Sequence, residues 1–264
     1  MKPKTTDLDE LRRRANKLRL YGVLAHWDAV CTEPWVLHLI EIEEEERRRR
    51  SHQYRIDNAK IGVFKPIVDF DWAHPTKVDR RQIDSLFDLS FMQDRENIVI
   101  VGPNGLGKTM IAQNLAYEAV VRGHPARFVA SSEMLNDLAS VDGSARRIRL
   151  KRYTSPKLLA VDEVGYLRYD TRHADLLYEV VRQRYEAGRP MIVTTNKAFA
   201  EWNQVFDSAA CVVTLVDRLC HRAEIVELDG ESYRKKEAQA REKERRAKRG
   251  SKKQSPRPSR KPRS

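Results

Sequence analysis

No apolar run in the 264-residue sequence approaches the roughly 18 to 20 residues that a membrane-crossing helix needs. The basic, leucine-poor amino terminus also lacks the apolar core of a secretion signal, so a cytoplasmic protein is expected. Cysteine is scarce: Cys31, Cys211 and Cys220 are the whole complement, and none stands in a CxxC pair. That excludes a disulfide framework and a zinc knuckle. No segment repeats another, and a hydrophobic content of 41% excludes a collagen-like or wholly disordered chain. What remains is a chain long enough for one or two domains around a buried core.

Charge, by contrast, is abundant: 33% of residues against about 25% in an average domain, with a formal net of +12. Between Arg234 and Ser264, fifteen Lys and Arg face three Glu, a surplus equal to the whole net charge, so positions 1 to 233 balance at 35 basic and 35 acidic. The end of that stretch, GSKKQSPRPSRKPRS, has no aliphatic or aromatic side chain. It cannot bury enough surface to offset chain entropy, so residues 237–264 are expected to be a disordered tail. Such a tail attracts polyphosphate by counterion release without reading sequence. A solubilising appendage is the alternative.

The organisation changes near residue 70. Leu8, Leu11, Ala15 and Leu18 recur at steps of three and four, opposite Arg12, Arg13, Lys17 and Arg19, which predicts an amphipathic helix with Asp7 as its cap. Farther on, Glu43 to Glu46 each stand four residues ahead of Arg47 to Arg50, predicting a solvated helix laced by four ion pairs. Residues 1–64 therefore read as a small helical domain, for DNA or a partner, and 65–78, with Pro66, Phe70, Trp72 and Pro75, as an ordered linker packed by its rings. In 79–236, the runs ENIVIVG, ARFVA, KLLAVDE, MIVTTN and AEIVEL alternate with longer helical patterns. That rhythm predicts βαβ units: a three-layer α/β domain with a parallel sheet buried on both faces.

Directly after the first of these strands comes GPNGLGKT, residues 102–109, followed by a helical pattern. Gly102, Gly107, Lys108 and Thr109 satisfy G-x-x-x-x-G-K-[ST], so the loop Gly102, Pro103, Asn104, Gly105, Leu106, Gly107 is expected to cradle phosphates with its backbone N–H groups. Lys108 would reach the β and γ phosphates of ATP and Thr109 would ligate Mg²⁺. The third strand ends in Asp162 and Glu163, expected at neighbouring-strand spacing from the loop. Asp162 would hold the Mg²⁺ shell and Glu163 would polarise the attacking water, which favours an ATPase over a kinase. Asn196, at the end of the fourth strand, is placed to bond a γ-phosphate or that water. Arg218 and Arg234 are candidate phosphate-facing cations, and an Arg offered to a neighbouring subunit's site would make an oligomer the active form.

Arg146, Arg147, Arg149, Lys151 and Arg152 cluster on one predicted helix, beside Tyr153, which is available to stack on a base or sugar. In a ring or spiral such a helix would track a nucleic-acid backbone; a solvated basic face is the alternative.

The order GPNGLGKT, LLAVDEVG, MIVTTN, VDRLCHRAEIVELDGESYR resembles the IstB/DnaC group of AAA+ P-loop ATPases and, within it, the IstB-like transposition helpers of insertion sequences. The likeness runs from about residue 8 to 236. It implies Walker B roles for Asp162 and Glu163, sensor 1 for Asn196, an arginine finger for Arg218 and sensor 2 for Arg234. It further implies an ATP-dependent homo-oligomer that assembles on double-stranded DNA, deforms it and serves a transposase. Where the family commonly has PPGTGKT, this chain has Asn104 and Leu106. The rivals are a DnaC-like replicative helicase loader acting on single strands, and a nucleotide-gated DNA-binding protein that barely hydrolyses ATP.

Overall fold

The computed structural model describes residues 5–166, 170–206, 209–238 and the single positions 241, 242 and 245. Most of the basic tail lies outside these residues. The chain divides into two compact units, residues 1–58 and 59–264.

In the first unit, α1 (Thr5–Leu18) and α2 (Pro34–Ala59) are joined by two short helical segments, Tyr21–Ala25 and Trp27–Val30. Leu11, Ala15, Trp27, Val36 and Ile40 form its core, and the four cations predicted opposite are exposed. Two expectations change. Because α1 begins at Thr5, Asp7 lies within its first turn instead of capping it. The four-rung Glu/Arg ladder keeps Glu46 with Arg50 at 3.5 Å, while Glu45 and Glu46 also pair three residues on with Arg48 and Arg49. Glu44 lies one turn beyond buried Ile40 and so faces α1, where Arg14 binds it bidentately at 2.8 and 3.0 Å.

The second unit is a five-stranded, all-parallel sheet in the order β2-β3-β4-β1-β5, comprising β1 (Asn97–Val101), β2 (Ala126–Ala130), β3 (Leu158–Val164), β4 (Met191–Thr195) and β5 (Ala223–Glu227). All five lie where the apolar runs put them. β4 sits between β1 and β3, so the glycine-rich loop after β1 and the acidic end of β3 are two strands apart, not neighbours as expected. The central strands are consecutively apolar because helices cover both faces. α3 (Lys108–Val121) covers one face; α4 (Ser131–Ala139), α5 (Gly143–Thr154), α6 (Thr171–Glu186) and α7 (Ala209–Cys220) lie on the other. Alternation along β3 follows from the strand period: Leu159 and Val161 pack under α4 to α7, leaving Leu158 and Ala160 to face α3.

Residues 59–78 belong to this unit and are stitched to it. Ile67 N–H donates to Asn114 Oδ1, Asn114 Nδ2 donates to Lys65 O, and Phe64 packs on Tyr117 with ring centroids 5.3 Å apart. At the amino ends of β3 and β4, Arg184 is fully buried and has no acidic partner among the described residues. Its guanidinium donates to the carbonyls of Tyr153, Pro156, Lys157 and Pro190 at 2.6 to 3.3 Å. Burial, then Arg189, lowers it to about 9, so it stays charged at neutral pH. Arg184→Leu would take a donor from four carbonyls, of which, among the described residues, only Pro190 O keeps another, the Leu159 N–H at 3.5 Å, and is expected to cost about 3 kcal/mol or more by denaturant unfolding, with Arg184→Lys recovering part of it. Equal stability of the leucine variant and the native chain would show that those carbonyls do not depend on Arg184.

Candidate functional site: a glycine-rich loop and a split acidic pair

The loop after β1 is pressed between two other segments. A Cβ at Gly105 would lie 2.2 Å from Ser232 Oγ and one at Gly107 2.5 Å from the Phe70 ring, and both residues have positive φ, +84° and +89°. Side chains are thus excluded by backbone conformation and by contact. Tyr233 N–H donates to Gly105 O and Leu228 N–H to Val101 O, so the stretch after β5 forms one wall and the 59–78 connector the other. Between them opens a cavity of about 530 Å³. Among the residues selected from sequence, Asn104, Gly105, Leu106, Gly107, Lys108, Thr109, Glu163, Asn196 and Arg234 line it.

Gly102 and Pro103 stand behind this surface, and their carbonyls accept from Lys108 Nζ at 2.7 and 2.8 Å. Lys108 is buried, which pushes its ammonium below the usual 10.5; Asp162 and Glu163 oppose that shift and Arg234 adds to it. Thr109 Oγ1, in the first turn of α3, donates to Asp162 Oδ1 at 3.1 Å, spanning the intervening strand.

Strand alternation places Asp162 on α3's face, with Leu158 and Ala160, and would bury Glu163 on the opposite face. A bulge prevents this. The β3–β4 register shifts between Val161 and Val164, and Val164, not Glu163, rejoins the core beneath α4 to α7. Glu163 takes φ +58°, a left-handed conformation costing about 1 kcal/mol, and its side chain emerges in the cavity. Thr194 Oγ1 accepts from Glu163 N–H at 2.9 Å and donates to Asp162, while Ser131 Oγ donates to Glu163 O at 2.9 Å. Asn196 Oδ1, buried at the cavity wall, has no hydrogen-bond partner among the described residues.

Thr194 and the connector are the functional features that sequence reasoning misses. The adjacent Thr194 and Thr195 in MIVTTN, and the rings of a proline-bounded segment, are the available signals. Phe64, Phe70, Asp71 and His74 all line the cavity. The set fits Mg²⁺ held together with a nucleotide: Asp162 is a buried carboxylate that accepts from the Thr109 and Thr194 hydroxyls, and Asp162 and Thr109 would hold the ion.

Arg218 is not part of the cavity wall. It sits in the last turn of α7, with its guanidinium 5.0 Å from the Tyr178 ring and 5.9 Å from Tyr185, and one buried terminal nitrogen without a hydrogen-bond partner among the described residues. The five cations of α5 are not among the residues that line the cavity either. Tyr153 is buried, not available to a base, because its hydroxyl donates to Asp137 at 2.8 Å; desolvation pushes it up to about 12.

Residues 4–241 match the family model described as IstB-like ATP-binding protein. The chain belongs to that family. It is 35% identical to a Geobacillus stearothermophilus protein described as the ATP-binding protein of insertion sequence IS5376, over 89% of this chain and 97% of the relative. A counterpart from Mycobacterium tuberculosis, also described as belonging to an insertion sequence, is 33% identical over 85% of this chain and 93% of its own. Among solved structures, the DnaC helicase loader aligns with TM-score 0.51 at 16% identity, over 65% of this chain and 97% of that one, and DnaI with TM-score 0.51 at 16% over 63% and 95%. The sheet order and these two structures place this IstB-like chain in the AAA+ P-loop fold.

A bound triphosphate opposes the desolvation of Lys108 and raises its pKa toward, or above, the usual value. ATP binding is therefore expected to take up a proton at pH values between the depressed pKa of the free protein and the raised one of the complex, and affinity to fall as pH rises through that window. Calorimetry in buffers of different ionisation enthalpy reads that uptake, and Lys108→Ala should abolish it.

Proposed function

We propose that this protein is an ATP-hydrolysing helper of a transposase, acting in the cytoplasm as an oligomer on double-stranded DNA. The observation that carries the hydrolytic reading is the split acidic pair. Asp162 is turned to Thr109 beneath the loop, and Glu163 is lifted into the cavity that the loop and Asn196 share. An enzyme that transfers phosphate to water needs that division, with one carboxylate serving the metal and the other serving the nucleophile.

In this reading the loop amides and Lys108 hold the β and γ phosphates, and Thr109 and Asp162 hold Mg²⁺, which when bound neutralises charge developing on the phosphate oxygens. Glu163 accepts a proton from water as the water oxygen attacks the γ-phosphorus and the bond to ADP breaks. Asn196 orients that water or the γ-phosphate; its unpaired buried oxygen supports this role. Arg234 lies on the same cavity and bears on the phosphates from the second wall. Arg218, standing outside the cavity wall, is assigned to the site of a neighbouring copy. The basic face of α5, with Arg146, Arg147, Arg149, Lys151 and Arg152, is assigned to the DNA backbone. Relatives described as insertion-sequence proteins support transposition over helicase loading, for the loader structures share only the fold.

Sedimentation and ATP turnover with duplex or single-stranded DNA test the proposal. Duplex with ATP should yield a large complex whose turnover falls by at least about 10²-fold in Lys108→Ala, Glu163→Gln and Arg218→Ala. Mixing Lys108→Ala with Arg218→Ala should restore part of it, because intact fingers then face intact sites. A monomer whose turnover ignores Arg218→Ala would overturn the shared site; unaltered turnover in Glu163→Gln would leave a nucleotide-gated binder, and binding confined to single strands would leave a loader.

A further inference from the structure

Three of the five cations on α5 are engaged internally. Arg146 pairs with Asp142 and donates to Val141 O at 2.9 Å. Arg149 donates to the Asp137 carboxylate at 2.8 Å and to its carbonyl at 2.9 Å, and Arg152 stands 3.8 Å from the same carboxylate. Arg147 and Lys151 are exposed, and among the described residues neither has an acidic partner within ion-pair distance. Between them in the chain lies Ile148, 67% exposed. A β-branched aliphatic side chain on a solvent-facing helical position gains nothing from propensity or burial. Other exposed apolar residues exist on this unit, but Ile148 alone among the described residues of α5 combines that exposure with free cations one position before and three after.

We propose that Arg147, Ile148 and Lys151 form a single contact with duplex DNA in which the two cations bind backbone phosphates and Ile148 presses into the minor groove as an apolar wedge at a base step. This rests on the duplex-binding part of the proposed function and assigns that surface its chemistry. Arg147 and Lys151 are one helical turn apart, about 6 Å, and project on the same face, so both reach one stretch of phosphate backbone. Ile148 lies on the neighbouring row of that face. With both flanking cations drawn to phosphates, its aliphatic end is directed past the backbone to sugar and base edges, where aliphatic side chains unstack steps and bend the duplex. Its stiff χ1 limits the entropy lost on insertion.

The test uses the full chain with ATP and duplexes carrying 2-aminopurine, which brightens on unstacking, and end labels that report bending. Ile148 is exposed and its replacement leaves no cavity. Ile148→Ser should weaken binding about 5- to 50-fold, remove the 2-aminopurine rise and reduce bending, without changing the slope of log K against log salt. Ile148→Met should restore the fluorescence rise. Arg147→Ala and Lys151→Ala should each lower that slope by about 1 per bound subunit, whereas Arg146→Ala should lower it by much less. Native unstacking and affinity in Ile148→Ser would overturn the wedge. So would loss of self-association without DNA, which would assign Ile148 to a contact between copies. If the native chain binds no duplex at all, the underlying functional reading fails; if it binds and these variants behave as native, only the wedge assignment fails.

Discussion

Two adjacent carboxylates at the end of a strand cannot both be served by a parallel sheet covered on both faces, and the site is organised around that conflict. Period-two alternation would send Asp162 toward α3 and Glu163 under α4, where an unpaired charge costs several kcal/mol. The bulge resolves it by skipping Glu163, so that Val164 takes the core position. The left-handed backbone this requires is held from both sides, by Thr194 from β4 and Ser131 from α4. β4 thus acts twice: Thr194 fixes the bulge and bonds Asp162, and Asn196, just past the strand, reaches the cavity. Placing β4 between β1 and β3 separates the loop from the acidic pair by one strand width, and the first turn of α3 spans it through Thr109.

A related constraint governs the cavity walls. A glycine-rich loop has few side chains with which to pack, and Gly105 and Gly107 let Ser232 and Phe70 approach to distances no Cβ would permit. Rigidity comes from outside the loop, from the connector and from the segment after β5. These segments are tied to each other as well: His74 Nε2 lies 2.7 Å from Glu231 O, and Lys236 meets Asp71 at 3.2 Å. Anything that moves one wall bears on the other.

Much of this is legible in the sequence. All five strands follow from consecutive apolar runs, and the loop from spacing and flanks, because both signals are local. What escapes depends on long-range pairing. Strand order is invisible to periodicity, so sequence spacing alone puts Asp162 one strand too close to the loop. Glu44 leaves its ladder because a cation from another helix lies nearer in space, and Tyr153 turns inward because Asp137, sixteen residues earlier, accepts its hydroxyl. The connector is recognisable as ring-packed, but its role as a wall depends on a contact between Phe70 and Gly107, 37 positions apart.

Charge follows a similar logic. The basic cluster on α5 is uninterrupted in sequence, yet Asp137 and Asp142 flank it in space and leave two of its cations without an acidic partner among the described residues. With positions 1 to 233 formally neutral, the net charge of the molecule belongs to the segment that begins at Arg234. On the proposed reading, long-range attraction to DNA and local contact with it are therefore separate: the terminal segment supplies most of the sequence-independent pull, and α5 supplies a small, geometrically fixed contact. On the same reading, a neutral body limits the repulsion between copies that a uniformly basic one would suffer where subunits crowd along one duplex.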